Sequence, residues 1–200
     1  MSGTAKSGAK LLVETLEANG VERAFIVPGE SYLAVIDALL DSSIATINTR
    51  HQSGPAFMPA ATGKLTVRPG IAMVTRGPGA MNAAAGLHVA EHDGTPMILF
   101  VGQVERHFRG RGAFQEMDYG RVFGSLAKWV AEIDSADRVV EMVSRAFAVA
   151  TAGRPGPVVL VLPEDMLVET AAAPAEIRPA PTVETHPGLN QMWDLQKRLW

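Results

Sequence analysis

Two turns rich in glycine and proline carry the clearest chemical potential in this chain. Val27-Pro28-Gly29-Glu30-Ser31 follows one short apolar run, and Thr75-Arg76-Gly77-Pro78-Gly79-Ala80-Met81-Asn82 follows another. Glycine lets a ligand approach the backbone closely, and the second turn leads straight into a helical pattern whose first amides can accept an anion. Gly and Pro also punctuate ordinary strand-to-helix connections, so a purely structural role stays open for both turns. Neither turn is a G-x-G-x-x-G fingerprint or a P-loop, and a nucleotide-phosphate site does not follow from motif. Between Glu105 and Gly112 the chain gathers Arg106, His107, Arg109 and Arg111. Guanidinium groups there suit a carboxylate or phosphate, while the alternative is a solvated surface loop. His88 and His92 stand at i, i+4 without the carboxylate of an H-E-x-x-H motif, so no metal ligands are expected in the chain. His51 is expected to hold its place by hydrogen bonds. Glu105 and Glu116 could form an acid–base pair, but no spacing fixes their separation.

Side chains at such turns need strands before them and helices after. The runs at 23–27, 45–48, 70–75, 96–102, 127–133 and 157–162 have strand length, and several are apolar throughout, as strands covered on both faces are. Between them, Ala9–Gly20 places Leu12, Thr15, Leu16 and Asn19 at helical spacing and stops at Gly20. Ser31 is a candidate N-cap for the next helix. Residues 135–153 repeat Val139, Val140, Val143, Phe147 and Ala150 before Gly153. This alternation predicts an α/β fold, a doubly wound parallel sheet with helices on both faces and right-handed crossovers. After Met166 the composition turns to Ala, Pro, Thr and Glu, and 189–200 resumes a helical pattern.

The chain has 200 residues, 47% of them hydrophobic, enough for one sizeable core. With 18 basic and 21 acidic residues its formal charge is −3, which excludes a broad electrostatic footprint for nucleic acid or an anionic membrane. The absence of cysteine excludes disulfides and thiolate chemistry and agrees with a reducing cytoplasm. No run has the length of a transmembrane helix, and the small, polar N-terminus has no apolar signal core. A cytoplasmic location is expected.

The order strand, Arg50-His51-Gln52, helix, strand, Thr75 to Asn82, helix resembles the N-terminal pyrimidine-binding (PYR) domain of the thiamine-diphosphate enzymes, in their acetolactate synthase-like branch. The resemblance continues through Thr95–Val104, Ala113–Trp129 and Gly153–Met166 and covers residues 8 to 168. It implies that Pro28, Gly29, Gln52, Pro78, Gly79 and Asn82 receive the aminopyrimidine end of thiamine diphosphate, with Gln52 and Gln115 at the catalytic positions. Where the family carries a Glu that bonds the pyrimidine N1′ and exchanges a proton with it, this chain has Gln52. A carboxamide can hydrogen-bond but cannot exchange that proton, which forgoes general acid–base catalysis of about 10²–10⁴-fold. Pro55 and Pro59 stand where the family runs Ala, and Ala60-Ala61-Thr62 where Glu-Ala-Tyr is common. Pro55 suits a first helical turn; Pro59 implies a helix that starts late or is distorted.

The implied organisation is a PYR domain over 1–168, a linker over 169–188, and the first helix of a central domain at 189–200. The implied function is carboligation or decarboxylation of a 2-keto acid substrate by thiamine diphosphate. Its diphosphate and Mg²⁺ would be held by a PP domain of the same or another chain, since no Gly-Asp-Gly occurs here, and FAD would belong to the parent enzyme. On this reading the chain alone is inactive and forms a homodimer or higher homo-oligomer, with a candidate face around Met81, Ala84, Leu87 and Ala90. Two alternatives stay open: one subunit of a split decarboxylase, and a non-catalytic binding or assembly module motivated by Gln52 and Pro59.

Overall fold

The computed structural model describes residues 5–181. Within them β1 (Ala5–Ser7) pairs antiparallel with β8 (Thr170–Ala172). The main sheet consists of β2 (Arg23–Ile26), β3 (Ala45–Asn48), β4 (Gly70–Val74), β5 (Met97–Gln103), β6 (Trp129–Glu132) and β7 (Pro157–Pro163). They lie in the order β3-β2-β4-β5-β7-β6, with every pair parallel. The central β4, β5 and β7 are buried at every residue, which is why their sequences are apolar without alternation.

Helices α1 (Gly8–Ala18), α2 (Leu33–Leu40), α6 (Val139–Thr151) and α7 (Glu164–Val168) cover one face, packing Leu12, Leu16, Val35, Val143 and Met166 on Ile26, Ile71, Ile98 and Leu160. Helices α3 (Gly54–Thr66), α4 (Pro78–His92) and α5 (Tyr119–Phe123) cover the other, packing Ala56, Ala83, Leu87 and Phe123 on Ala72, Leu99, Val101 and Val159. The central strands β4, β5 and β7 thus send alternate residues into two separate cores. The doubly wound architecture read from the sequence is the one observed.

α1 is capped by Ser7, whose Oγ accepts the Lys10 N–H at 3.2 Å, and it ends at Asn19 before Gly20, with φ +72°. Ser31 does not cap α2. Its hydroxyl lies 3.0 Å from Thr75 Oγ1 and accepts the Arg76 N–H at 3.3 Å, so a tertiary contact takes the place of the local one. α3 neither starts late nor avoids its prolines: it begins two residues after Gln52, with Pro55 in the first turn and Pro59 inside. Pro59 denies Pro55 its i+4 donor. The helix nevertheless lies close on the sheet, because a Cβ on Gly70 would come within 2.1 Å of the Pro59 oxygen, and one on Gly86 of α4 within 2.5 Å of Ala56 Cβ. α3 ends at Val67, a β-branched residue in the left-handed region at φ +60°.

Lys128 and Trp129 have packing roles. Lys128 Nζ donates to the carbonyls of Val149 and Ala152 at 2.6 Å each, closing the end of α6, and Arg145 lies 4.5 Å above the Trp129 ring. In the segment read as a linker, Thr170–Ala172 pair with β1, Ala173 is buried, and the Ala180 N–H donates to Asn19 Oδ1 at 2.8 Å. The helix expected at 189–200 lies outside the described residues.

Candidate functional site

Both Gly/Pro turns leave the C-terminal edge of the sheet, from β2 and β4, where open α/β folds bind ligands. Gly29 is set against Thr75: a Cβ there would meet Thr75 Cβ at 2.5 Å. Gly79 is set against the same residue, since its Cβ would lie 2.7 Å from Thr75 Cγ2 and 3.6 Å from Gln52 Cγ. Asn82, one turn into α4, donates from Nδ2 to Gln52 Oε1 at 3.3 Å. Gln115 arrives from the loop after β5, and Gly77 would meet Gln115 Cβ at 2.9 Å if it carried a Cβ. The structure therefore joins Gly29, Gln52, Gly79 and Asn82 around Thr75, with Gln115 against the other side of the turn. Pro28 and Pro78 are exposed beside them.

A second layer fixes these positions. Gly77 has φ +56° and ψ −112°, a conformation glycine alone adopts easily. Its N–H is satisfied by the buried Tyr119 hydroxyl at 2.9 Å, which donates in turn to Gly102 O at 3.2 Å. Burial raises the Tyr119 phenol above its ordinary range, so it remains a donor. Buried Gln103 donates to Met117 O at 2.8 Å and accepts the Val104 N–H at 3.0 Å, anchoring the loop that presents Gln115. Gln115 itself has φ +62°. Tyr32 donates to Val27 O and steadies the first turn. Arg76, 11% exposed, reaches Glu30 at 2.6 Å and Glu164 at 3.1 Å, tying the ends of β2, β4 and β7 together.

Ser31 and Thr75 stand in the turns and Gln103 and Tyr119 in the resembling stretches, yet nothing in the sequence marks the roles they take, because each acts through a partner distant along the chain. Arg106 and Arg109 of the basic cluster belong to the scaffold, while Arg111 is exposed. Arg106 is held by Asp165 at 2.8 Å and Glu169 at 2.7 Å, and Arg109 by Glu132 and by Glu116 at 3.4 Å. Glu116 accepts the Gly110 N–H, which with the Arg109 charge holds its carboxyl below the usual range. Glu105 faces His107 at 3.3 Å, so the two glutamates serve separate contacts. His51 accepts the Ser53 N–H at 3.2 Å and bonds its hydroxyl at 2.8 Å, a positional role.

The site's polar groups are neutral amides and hydroxyls, with Gln52 half-buried and Asn82 exposed. Gln52 and Asn82 present carboxamide donors and acceptors of the kind that match the mixed edge of a heteroaromatic ring, while the space a Cβ would take at Gly29 and Gly79 is filled by Thr75. Among the described residues no three His, Asp or Glu side chains converge to hold a metal ion.

The chain matches the family described as thiamine pyrophosphate enzyme, N-terminal TPP binding domain, over residues 6–122. It is 41% identical over 160 residues to the catabolic acetolactate synthase of Raoultella terrigena, covering 80% of this chain and 29% of that protein. To the acetolactate synthase of Bacillus subtilis (strain 168) it is 38% identical over 162 residues, covering 81% and 28%. To a probable acetolactate synthase large subunit of Methanocaldococcus jannaschii it is 36% identical over 181 residues, covering 90% and 30%. The chain spans less than a third of the length of these relatives.

Proposed function

Since the chain belongs to the thiamine pyrophosphate enzymes, carrying their N-terminal TPP binding domain, we propose that it is the pyrimidine-binding part of a 2-keto acid carboligase or decarboxylase similar to acetolactate synthase. The observation that carries this reading is the convergence of Gln52, Asn82, Gly79 and Gln115 on two glycine turns at the C-terminal edge of the sheet. Thiamine diphosphate, when bound, supplies the carbon nucleophile that adds to a keto-acid carbonyl. This chain's residues hold and orient its aminopyrimidine end. Gln52 and Asn82 would offer carboxamide donors and acceptors to its ring edge, while Gly29 and Gly79 let the two turns close on Thr75 and so set where those amides stand. Held by Asn82, Gln52 keeps a fixed hydrogen-bonding position but cannot take up or release a proton, so proton exchange at this atom is weak in this chain.

The diphosphate, Mg²⁺ and any FAD are assigned to other domains of the whole enzyme, a PP domain of the same or another chain supplying the charged end. Self-association is assigned to the exposed apolar surface of α3 and α4. That surface is not the one read from the sequence, because Leu87 and Ala90 are fully buried in the domain's own core, and Ala84 is only partly exposed. Instead Phe57 (45% exposed) and Met58 (44%) on α3, the helix that follows Gln52, and Met81 (47%), which precedes Asn82 on α4, lie outward. A two-fold pairing there would bury them beside the site. No helix among the described residues is long and apolar enough to cross a membrane, and a cytoplasmic location is part of the proposal. Gln52 also supports a second reading, in which the domain binds or assembles without catalysis.

The test is nuclear magnetic resonance with ¹⁵N-labelled chain titrated with thiamine diphosphate. Shifts confined to the side-chain amides of Gln52, Asn82 and Gln115 and the backbone of Gly77 and Gly79 are expected, reduced by Asn82→Ala. Shifts elsewhere, or none at millimolar ligand, would refute the assignment.

A further inference from the structure

The C-terminal part of α4 carries a pair of side chains that the pyrimidine site does not use. His88 and His92 are both exposed, one helical turn apart, with ring centroids 4.3 Å apart and planes inclined by 38°. An imidazole nitrogen binds a divalent transition ion at about 2.1 Å, which sets each ring centroid about 3.2 Å from the ion. Two rings at a right angle about the ion then have centroids about 4.5 Å apart, and two at the tetrahedral angle about 5.2 Å. The observed separation fits the right angle, the arrangement favoured by copper(II) and nickel(II) with nitrogen ligands.

Two further observations support a built site. The order His88-Val89-Ala90-Glu91-His92 is H-x-x-E-H, the reverse of the H-E-x-x-H arrangement and likewise one that sets two imidazoles on the same helix face with a carboxylate beside them. Glu91 Oε2 stands 3.7 Å from His92 Nε2, placing a carboxylate where it can bond water on an ion. Arg154 donates to the carbonyls of Glu91 at 3.0 Å and His92 at 2.6 Å, fixing the backbone of the second imidazole. With no third ligand converging among the described residues, the remaining coordination positions are left to water. This makes a surface chelate and not a hydrolytic centre.

We propose that His88 and His92 chelate one divalent ion of the copper(II) or nickel(II) type per chain. The ion would clamp the last turn of α4, the helix whose first turns carry Gly79 and Asn82. The proposal is independent of the thiamine reading. It is tested by titrating the untagged chain with nickel(II) and with copper(II) in a calorimeter, together with copper(II) electron paramagnetic resonance. One ion per chain and a two-nitrogen copper signature are expected. His88→Ala and His92→Ala should each weaken binding by about tenfold or more, since changes even outside the ligand shell cost about 10–100-fold, and each should leave one nitrogen. His107→Ala, at an exposed imidazole beside Glu105, should change nothing. Both replaced positions are on the surface, and circular dichroism confirms that the variants fold. Binding undiminished in either variant, one ion shared by two chains, or no binding at millimolar ion would overturn the chelate.

Discussion

Removing a single oxygen, as in Tyr119→Phe, isolates the hydrogen bond that holds the Gly77 turn. Tyr119 is 2% exposed, and its hydroxyl is the group that satisfies the Gly77 N–H, at 2.9 Å. The ring stays stacked on Phe123, with centroids 6.0 Å apart, so packing is conserved and the change is confined to the polar contact. A buried amide left without a partner costs about 1–3 kcal/mol. Gly102 O loses the Tyr119 donor as well, and an under-satisfied carbonyl is tolerated better than an orphaned amide, so the Gly77 N–H dominates. For a domain of this size each kcal/mol lowers the melting temperature by about 2–4 °C, which gives a fall of about 2–12 °C. Urea unfolding should show the same loss as a lower midpoint at unchanged slope. A change within about 0.5 kcal/mol, the usual effect of a neutral surface substitution, would refute the argument that this bond holds the turn.

Other outcomes follow from the same geometry. With a PP domain supplied, Gln52→Glu should accelerate deuterium exchange at the thiazolium C2 of bound cofactor by about 10²-fold or more; no gain with binding confirmed would show that α3 holds position 52 away from the ring. Asp165 is pushed upward by partial burial, and the backbone and guanidinium hydrogen bonds of Arg106 outweigh this, leaving its carboxyl below the usual range. The stability it contributes is present above the unfolded-state value of about 3.9 and is lost as pH falls through the lower folded value. Asp165→Asn should therefore destabilise the chain at pH 7 and flatten the acid limb of its stability curve, as read by urea midpoints across pH. Phe57→Asp should convert the self-associated protein to monomer in light scattering while leaving its circular dichroism unchanged; a wild-type chain already monomeric at tens of micromolar would contradict the assigned face.

The strands were legible where burial on both faces leaves an uninterrupted apolar run, as in Met97–Gln103 and Pro157–Pro163. The edge strand β6 was legible only approximately, because its residues are half-buried and its flanks are equally apolar. β1 and β8 were not read at all. Ala5-Lys6-Ser7 and Thr170-Ala171-Ala172 have little strand preference, and each is a strand only because the other lies beside it. Ser31 had the right residue type for a cap, and a partner 44 residues away claimed its hydroxyl. In the candidate site the turns were visible in their residues, and Gln52 and Gln115 through resemblance, whereas the roles of Tyr119 and Gln103 and the left-handed backbone of Gln115 were not, since no local pattern encodes a bond between distant loops. Of the two consequences expected of Pro59, the late start is not observed: α3 begins at Gly54 with Pro59 inside it, and Gly70 on the neighbouring strand lets the helix backbone lie close at that point.

The small ribbon of β1 and β8 has a mechanical consequence. Its register sets Ala5 opposite Ala172 and Ser7 opposite Thr170, so Ala5 and Ala172 lie at the same end of the ribbon. Tension applied between these two points would open the three facing pairs one after another, like a zip, instead of shearing them together. The six-stranded sheet would carry none of that load until the ribbon had parted.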